Sequence, residues 1–220
     1  MKKVLLACVI AGAMSVSSAF ALTSVKFSDG PGNTGGGEFY ADVGNNGSID
    51  FITFCLEYNE HIAYNTVYYF GVSDAAKYQG LSAGSLGSLD PISKATAWLY
   101  LQALSGVSGA LGYNSTQAAA NLMQRAIWYF EDERGGDGQT AGNNSYVAAA
   151  ISANGGTVDM AKAHNGGFYG VGVMNLWANA NGTGARQDQL IRVPDGGTTL
   201  VFLGMAMTGL AAANRRFRKA

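Results

Sequence analysis

NLMQRAIWYFEDE, residues 121–133, is the most regularly patterned segment of the chain. Apolar residues recur in and just before it three and four positions apart, the spacing of one broad helix face: Ala119, Leu122, Met123, Ala126, Ile127 and Phe130. The Ser-Thr pair at 115–116 can cap the start of this helix, and Gly135-Gly136 follows its end. Gln124 and Trp128 share a second face, one turn apart. An indole there predicts that both faces are covered, as in a central helix.

Two short segments carry a resemblance to a known family. Residues 122–128, LMQRAIW, and residues 54–57, FCLE, lie about seventy positions apart. They resemble the TQxAIW and YCI(D/E) segments of bacterial surface thioester domains, and the similarity extends over residues 38–193. In that family a cysteine thiol and a glutamine carboxamide condense, with loss of ammonia, to an internal thioester that an amine can attack.

The resemblance implies that Cys55 and Gln124 are the two thioester partners. This sequence departs from the family pattern at Met123, where threonine is frequent, and at both neighbours of the cysteine. The alternative for Cys55 is a small buried hydrophobic residue, and for Gln124 a buried amide with satisfied hydrogen bonds. A lasting thioester needs protection from water, and three aromatic residues can supply it: Phe54, Trp128 and Tyr129.

The N-terminal end predicts export. Residues 1–21 combine a lysine pair, an apolar run and an Ala-Phe-Ala end, the three parts of a secretory signal peptide. A lipoprotein signal ending at Cys8 is the alternative, but too few apolar residues precede that cysteine. Once the signal is removed, Cys55 is the single cysteine, so an intramolecular disulfide is excluded.

The C-terminal end has three parts in thirty residues. An apolar run, Thr198–Ala213, separates a short motif from a basic cluster; the motif is Val193, Pro194, Asp195, Gly196 and Gly197, and the cluster is Arg215, Arg216, Arg218 and Lys219. This tail resembles the PEP-CTERM sorting signals in their VPDSG/VPDGG variant. The run predicts a short membrane helix whose basic end stays in the cytoplasm. The resemblance implies recognition by an exosortase, a membrane protease; an unprocessed tail anchor is the alternative.

The segments between the ends predict an α+β fold. Strands come first, helices follow and two strands close the chain, without the alternation of a parallel sheet. We therefore expect an antiparallel sheet or barrel with a helical insertion, a body at residues 22–193 and a sorting tail at 194–220. The expected elements are strands at 38–43, 48–58 and 65–72, helices from Asp90-Pro91 to Leu104, through 121–133 and at 146–153, and strands at 168–177 and 187–193, after a flexible lead-in at 30–37.

Charge and spacing argue against several function classes. Residues 22–197 hold eight Lys and Arg against fifteen Asp and Glu, so the body is acidic and nucleic acid is an unexpected partner. His61 and His164 lack the spacing of a zinc site, and no nucleophile elbow or phosphate-binding loop is present. Glu57 and Glu131 can assist proton transfer or be plain solvated carboxylates. We expect no enzyme, no metal and no cofactor.

Two functions remain open for an exported, membrane-sorted protein that ends at the cell surface or outside the cell. The first is covalent adhesion, in which an amine- or hydroxyl-bearing surface target attacks a thioester between Cys55 and Gln124. The second is a non-covalent structural or exopolysaccharide-associated role in which the cysteine is inert.

Overall fold

The computed structural model describes residues 22–32, 37–77, 89–133 and 138–193. The predicted signal peptide, the Gly-Gly pair at 135–136 and the tail from Pro194 onward lie outside these residues. The strands are β1 Thr23–Asp29, β2 Phe39–Val43, β3 Phe51–Thr53, β4 Val67–Ser73, β5 Ala75–Ala76, β6 Asp90–Pro91, β7 Val171–Trp177 and β8 Ala185–Arg192. The helices are α1 Lys94–Ser105, α2 Gln117–Phe130, α3 Ser145–Ala153 and α4 Val158–Lys162, with a 3-10 turn at Gly106–Ser108.

Six of these strands form one antiparallel sheet in the order β3-β2-β1-β4-β7-β8. The sheet curls, and its two edges meet just beyond β3. There Leu190 N donates to Phe54 O (3.1 Å) and Leu56 N donates to Asp188 O (3.0 Å). Cys55 bridges Gln189 between these two bonds. The chain thus has the expected α+β architecture, with an antiparallel sheet and the four helices inserted between β6 and β7.

Helix α2 contributes buried residues to two hydrophobic clusters. One lies on the inner side of the curled sheet and is built from Val25, Phe27, Phe39, Ala41, Cys55, Tyr68, Phe70, Trp128, Met174 and Leu176. The other joins the helices to the sheet and includes Met123, Ala126, Ile127 and Phe130 of α2. Strand β7 lies between the clusters, and every one of its residues is buried. Helix α2 is therefore covered on two faces, with Trp128 fully buried in the inner cluster.

Several element bounds differ from those predicted. Asp90-Pro91 does not open a helix; it pairs with β5, and α1 begins at Lys94 with Ser93 as its N-cap. The second predicted strand is only three residues long, because the chain leaves β2 after Thr53 to reach β8. Helix α2 ends at Phe130 rather than Glu133.

Strand β1 was not predicted, and it holds a central place in the sheet. Only Val25 and Phe27 of its seven residues are buried apolar side chains, so its alternation is weak in the sequence. Of the expected lead-in at 30–37, residues 33–36 lie outside the described residues, and Gly37 is buried. Within the described residues, no helix is both long and apolar enough to cross a membrane. The predicted membrane helix at 198–213 lies outside them.

Candidate functional site

Cys55 lies where the curled sheet closes. It lies two residues beyond the short strand β3 and bridges Gln189 of β8, and its side chain is fully buried in the inner cluster. Its thiol is free. A residue at this seam has its backbone held by neighbouring sheet hydrogen bonds on both sides. The sulfur is therefore held in a defined place inside the body.

Gln124 reaches Cys55 from helix α2, and its carboxamide is also fully buried. The Cys55 Sγ lies 3.2 Å from Gln124 Oε1, within reach of an S–H···O hydrogen bond. Cys55 N donates to the same oxygen (3.2 Å), and Gln124 Nε2 donates to Cys55 O (2.8 Å). The carboxamide thus lies beside the thiol and is oriented by the backbone of the same residue.

A third donor to this carboxamide comes from Gly37, just before β2. Gly37 N donates to Gln124 Oε1 at 3.1 Å. The φ of Gly37 is 137°, a conformation that side chains rarely adopt, and a Cβ there would lie 3.0 Å from Pro31 O. Glycine is favoured here because of this φ and because the backbone of Pro31 and Gly32 lies where a Cβ would be.

The walls of the site come mainly from α2 and the segment after Cys55. Trp128 lies one turn beyond Gln124, and the Tyr58 ring packs edge-on against its indole with centroids 5.0 Å apart. The other two residues predicted as shields lie elsewhere. Phe54 is buried in the helical cluster against Tyr113, and Tyr129 is half-buried at the edge of that cluster. Of the three, only Trp128 shares the inner cluster with Cys55.

Buried carboxyl groups set the electrostatics around the thiol. Burial, and then the nearby carboxyl of Glu57, raise the pKa of Cys55 well above its usual range. The Glu57 carboxyl is itself buried, and desolvation together with the charge of Asp188 raises its pKa. Asp188 N donates to Glu57 Oε2 at 2.7 Å. The thiol is therefore neutral at rest and reacts only if its proton is removed as it attacks.

Glu131 is separate from this site. Its Oε1 accepts from Ser93 N (3.1 Å) at the start of α1, so it serves that helix end and not Cys55. His164 lies 3.6 Å from Asp74 near the surface. His61 lines an open surface cavity of about 410 Å³ whose lining includes neither thioester candidate. In the described ranges, no group of three or more His, Cys, Asp and Glu is arranged to hold a metal.

Three participants were not predicted from the sequence: Gly37, Tyr58 and Gln189. Gly37 acts through its backbone, and one glycine among 31 carries no signal of its own. Tyr58 and Gln189 each lie within a few residues of a predicted strand end, yet their contacts depend on how the sheet curls.

The comparisons with known proteins concern the end of the chain. Residues 192–217 match the family model of the VPDSG-CTERM motif. Neither a curated protein nor a solved structure gives a significant match to this chain. The predicted resemblance of the tail to a PEP-CTERM-type signal is thereby confirmed, whereas no match supports the resemblance of the body to thioester domains.

The VPDSG-CTERM motif indicates an exported, surface-sorted protein. It begins at Arg192, the last residue of β8, so the sorting segment follows the final strand of the body directly. The match includes none of the residues around Cys55. The chemistry of the body therefore has to be argued from its own geometry.

Proposed function

We propose that the body forms an internal thioester between Cys55 and Gln124 and uses it to attach the exported protein covalently to a surface target. The observation that carries this proposal is the 3.2 Å approach of Cys55 Sγ to Gln124 Oε1 inside a buried site. Holding the two groups at this distance removes much of the entropy cost of bringing them together, which can lower the barrier by about 7–11 kcal/mol.

The condensation balances without a co-reactant. The Cys55 sulfur attacks Cδ of Gln124, the thiol proton passes to the carboxamide nitrogen, and ammonia leaves. Attack by an amine on the same carbon later forms an amide to the target and returns the thiol of Cys55. Each molecule reacts once, so the body consumes its bond and does not turn over a substrate.

Burial supports a long-lived bond. Cys55, Gln124 and Trp128 are all fully buried, so bulk water does not reach the thioester carbon directly. The raised pKa of Cys55 also makes its thiolate a poor leaving group, which slows hydrolysis. A target that binds beside the site brings its amine or hydroxyl to the bond at a high local concentration, and this favours attachment to a partner over loss to water.

The test is the intact mass of the purified body. Condensed protein is lighter by one ammonia, and its thiol resists labelling after denaturation. Methylamine then restores one labelled thiol and adds one amine to Gln124. Cys55→Ala abolishes amine uptake, and Gln124→Ala exposes the thiol at once. Gln117→Ala, an exposed glutamine at the start of the same helix, is the matched control and keeps the bond. A wild-type body of full mass with a free thiol contradicts the proposal.

A non-covalent surface role is the second candidate, and one observation favours it. Both ends of the Gln124 carboxamide are hydrogen-bonded, with Oε1 accepting from two backbone N–H groups and Nε2 donating to Cys55 O. A buried structural amide has the same appearance. In that case Cys55 is an inert core residue, and the body associates with an exopolysaccharide or another surface component without forming a bond.

We further propose that an exosortase-type membrane protease recognises the tail. The supporting observation is the VPDSG-CTERM match at residues 192–217. The sequence beyond the motif adds an apolar run and a basic cluster that would hold the C-terminus in the cytoplasm. Replacing Arg215, Arg216, Arg218 and Lys219 by neutral residues is expected to change cell fractionation and tail processing. Unchanged fractionation and processing would contradict this role.

A further inference from the structure

The carbonyl oxygen of Gln124 lies between two backbone donors. Gly37 N and Cys55 N donate to it over 3.1 and 3.2 Å. They belong to segments 18 positions apart, one before β2 and one after β3, and the oxygen belongs to a helix. Two N–H groups converging on one buried carbonyl oxygen make the arrangement that stabilises the negative oxygen formed in acyl transfer.

We propose that the N–H groups of Gly37 and Cys55 form an oxyanion-binding site for the thioester chemistry, and that Glu38 is the residue that positions Gly37. This inference rests on the proposed thioester. To the thioester proposal it adds two N–H groups that contact the reacting oxygen and one side chain that holds the first of them in place.

The two donors act at the same point in both reactions. When the Cys55 sulfur attacks Cδ, the electron pair of the C=O bond moves to Oε1, and both N–H groups stabilise that charge. The pair returns as ammonia leaves with the thiol proton. When an amine attacks the thioester, the oxygen again becomes negative, and its collapse expels the sulfur, which takes up the proton released by the amine.

The position of Gly37 is set by its neighbour. Glu38 is buried, and its Oε2 accepts from Tyr113 Oη (2.6 Å) and Ser115 Oγ (2.9 Å). Ser115 immediately precedes Thr116, the N-cap of α2. The carboxylate therefore ties the loop of Gly37 to the start of the helix that carries Gln124. The N–H of Gly37 and the oxygen of Gln124 are thereby held in a fixed relative position, as preorganisation of an oxyanion site requires.

The experiment compares two glycine substitutions. Gly37→Ala introduces a Cβ that would lie 3.0 Å from Pro31 O at a φ that side chains rarely adopt, so we expect the backbone to shift and the N–H of residue 37 to move away from Gln124 Oε1. Gly44→Ala is the matched control, because φ is also positive there (80°) and nothing lies within 4 Å of the added Cβ. We expect methylamine to open the thioester about 100- to 1000-fold more slowly in Gly37→Ala than in wild type, the range for loss of one oxyanion donor, and little change in Gly44→Ala.

A second pair of variants tests the positioning role of Glu38 while Gly37 itself is left unchanged. Tyr113→Phe removes one hydrogen bond to Glu38, and Glu38→Gln removes the charge. We expect each to slow methylamine attack about two- to tenfold, the worth of one modest hydrogen bond. The carbonyl stretch of the bond, read by infrared difference with ¹³C-glutamine, should move to higher frequency in both. A side chain that only stabilises the fold would leave this frequency unchanged.

The outcomes separate this inference from the thioester itself. A wild-type body without the bond overturns both proposals. A second outcome is that the wild type is condensed but Gly37→Ala has the same opening rate and carbonyl band as Gly44→Ala. That result overturns the oxyanion site and leaves the thioester standing. Slower opening with a shifted carbonyl band in Gly37→Ala, and a smaller shift of the same sign in Tyr113→Phe, supports the assignment.

Discussion

The side chains of Gln124 and Trp128 project from helix α2 one turn apart into the same buried region, where different contacts hold them. The carboxamide of Gln124 is held by three hydrogen bonds with the backbone of Gly37 and Cys55. The Trp128 indole fills the inner cluster and packs edge-on against Tyr58. The tryptophan thus anchors the helix face from which the glutamine extends.

Trp128→Ala is expected to lower the free energy of unfolding by about 3–5 kcal/mol, because it removes a fully buried ring from a packed cluster. Urea denaturation of the purified body measures this change. Tyr129→Ala, which removes a half-buried neighbour on the same helix, is the matched comparison and should cost clearly less. A loss under about 1 kcal/mol for Trp128→Ala would mean that the inner face of α2 is open.

The sequence could single out Cys55 and Gln124 because side-chain chemistry and family-like segments mark them. It could also indicate that Trp128 is covered, since an indole lies opposite an apolar stripe. The two donors to Gln124 Oε1 are backbone N–H groups, and every residue except proline carries one. Their convergence depends on where the chain turns at Gly37 and how the sheet closes, which no local pattern encodes.

At the scale of elements, the start of α1 shows how a local signal can mislead. Asp90-Pro91 has the composition of a helix start, yet it lies in β6. The helix begins three residues later, where Ser93 Oγ accepts from Thr96 N at 3.0 Å. Asp90-Pro91 instead pairs with β5, and that pairing is tertiary information.

Ser93→Ala is therefore expected to destabilise the body by about 1–2 kcal/mol through loss of the cap of α1. Asp90→Ala, at the rejected start, should change stability by less than about 0.5 kcal/mol or raise it. Thermal unfolding followed by circular dichroism measures both. If Asp90→Ala destabilised the body more than Ser93→Ala, the helix start predicted at Asp90-Pro91 would be the right one.

The strand bounds show the same division between local and tertiary information. The second and third predicted strands and the closing pair exist, but their ends differ from the predicted ones. The second strand is short because the sheet closes just beyond β3, where Cys55 bridges Gln189. Periodicity identified helix α2 most reliably, since its apolar stripe continues over about three turns. It missed β1 because two buried residues in seven do not make a clear alternation.

For the whole molecule, buried carboxyls make stability depend on pH. Burial raises the pKa of Glu131 to about 7 and also raises the pKa of Glu57 and Asp188, and the charge of Asp188 adds to the shift of Glu57. A raised folded pKa means that the folded state binds more protons than the unfolded state between the two pKa values. Their contribution to folding is therefore largest at low pH and is lost as pH rises toward neutrality.

We expect the free energy of unfolding to fall between about pH 4.5 and 7, measured by urea denaturation at each pH. Glu131→Gln mimics the protonated carboxyl, so it should flatten part of this slope and leave stability at pH 5 nearly unchanged. Asp159→Asn, an exposed carboxyl at the start of α4, is the control and should leave the slope as it is. Stability that rises over this window would contradict the assignment.

The boundary between body and tail gives another prediction for the whole molecule. Val193 N donates to Gly170 O at 2.8 Å, so Val193 still belongs to the body. A protein ending at Val193 should unfold in a single cooperative transition, as measured by calorimetry. A truncation that also removes residues 185–192 takes away β8 and the closing bonds at Cys55, and it should not fold. A misfolded chain ending at Val193 would show that the tail belongs to the core.

The place of β8 in the chain sets the order in which the body can be completed during export. The sheet closes only when residues 188–190 reach the segment around Cys55, and these residues are among the last of the body to be synthesised. If the chain crosses the membrane from its N-terminus, Cys55 therefore emerges well before residues 188–190, which cover it. The buried pocket closes only after most of the body has passed, so the thioester that we propose would form outside the cell, away from the abundant amines of the cell interior.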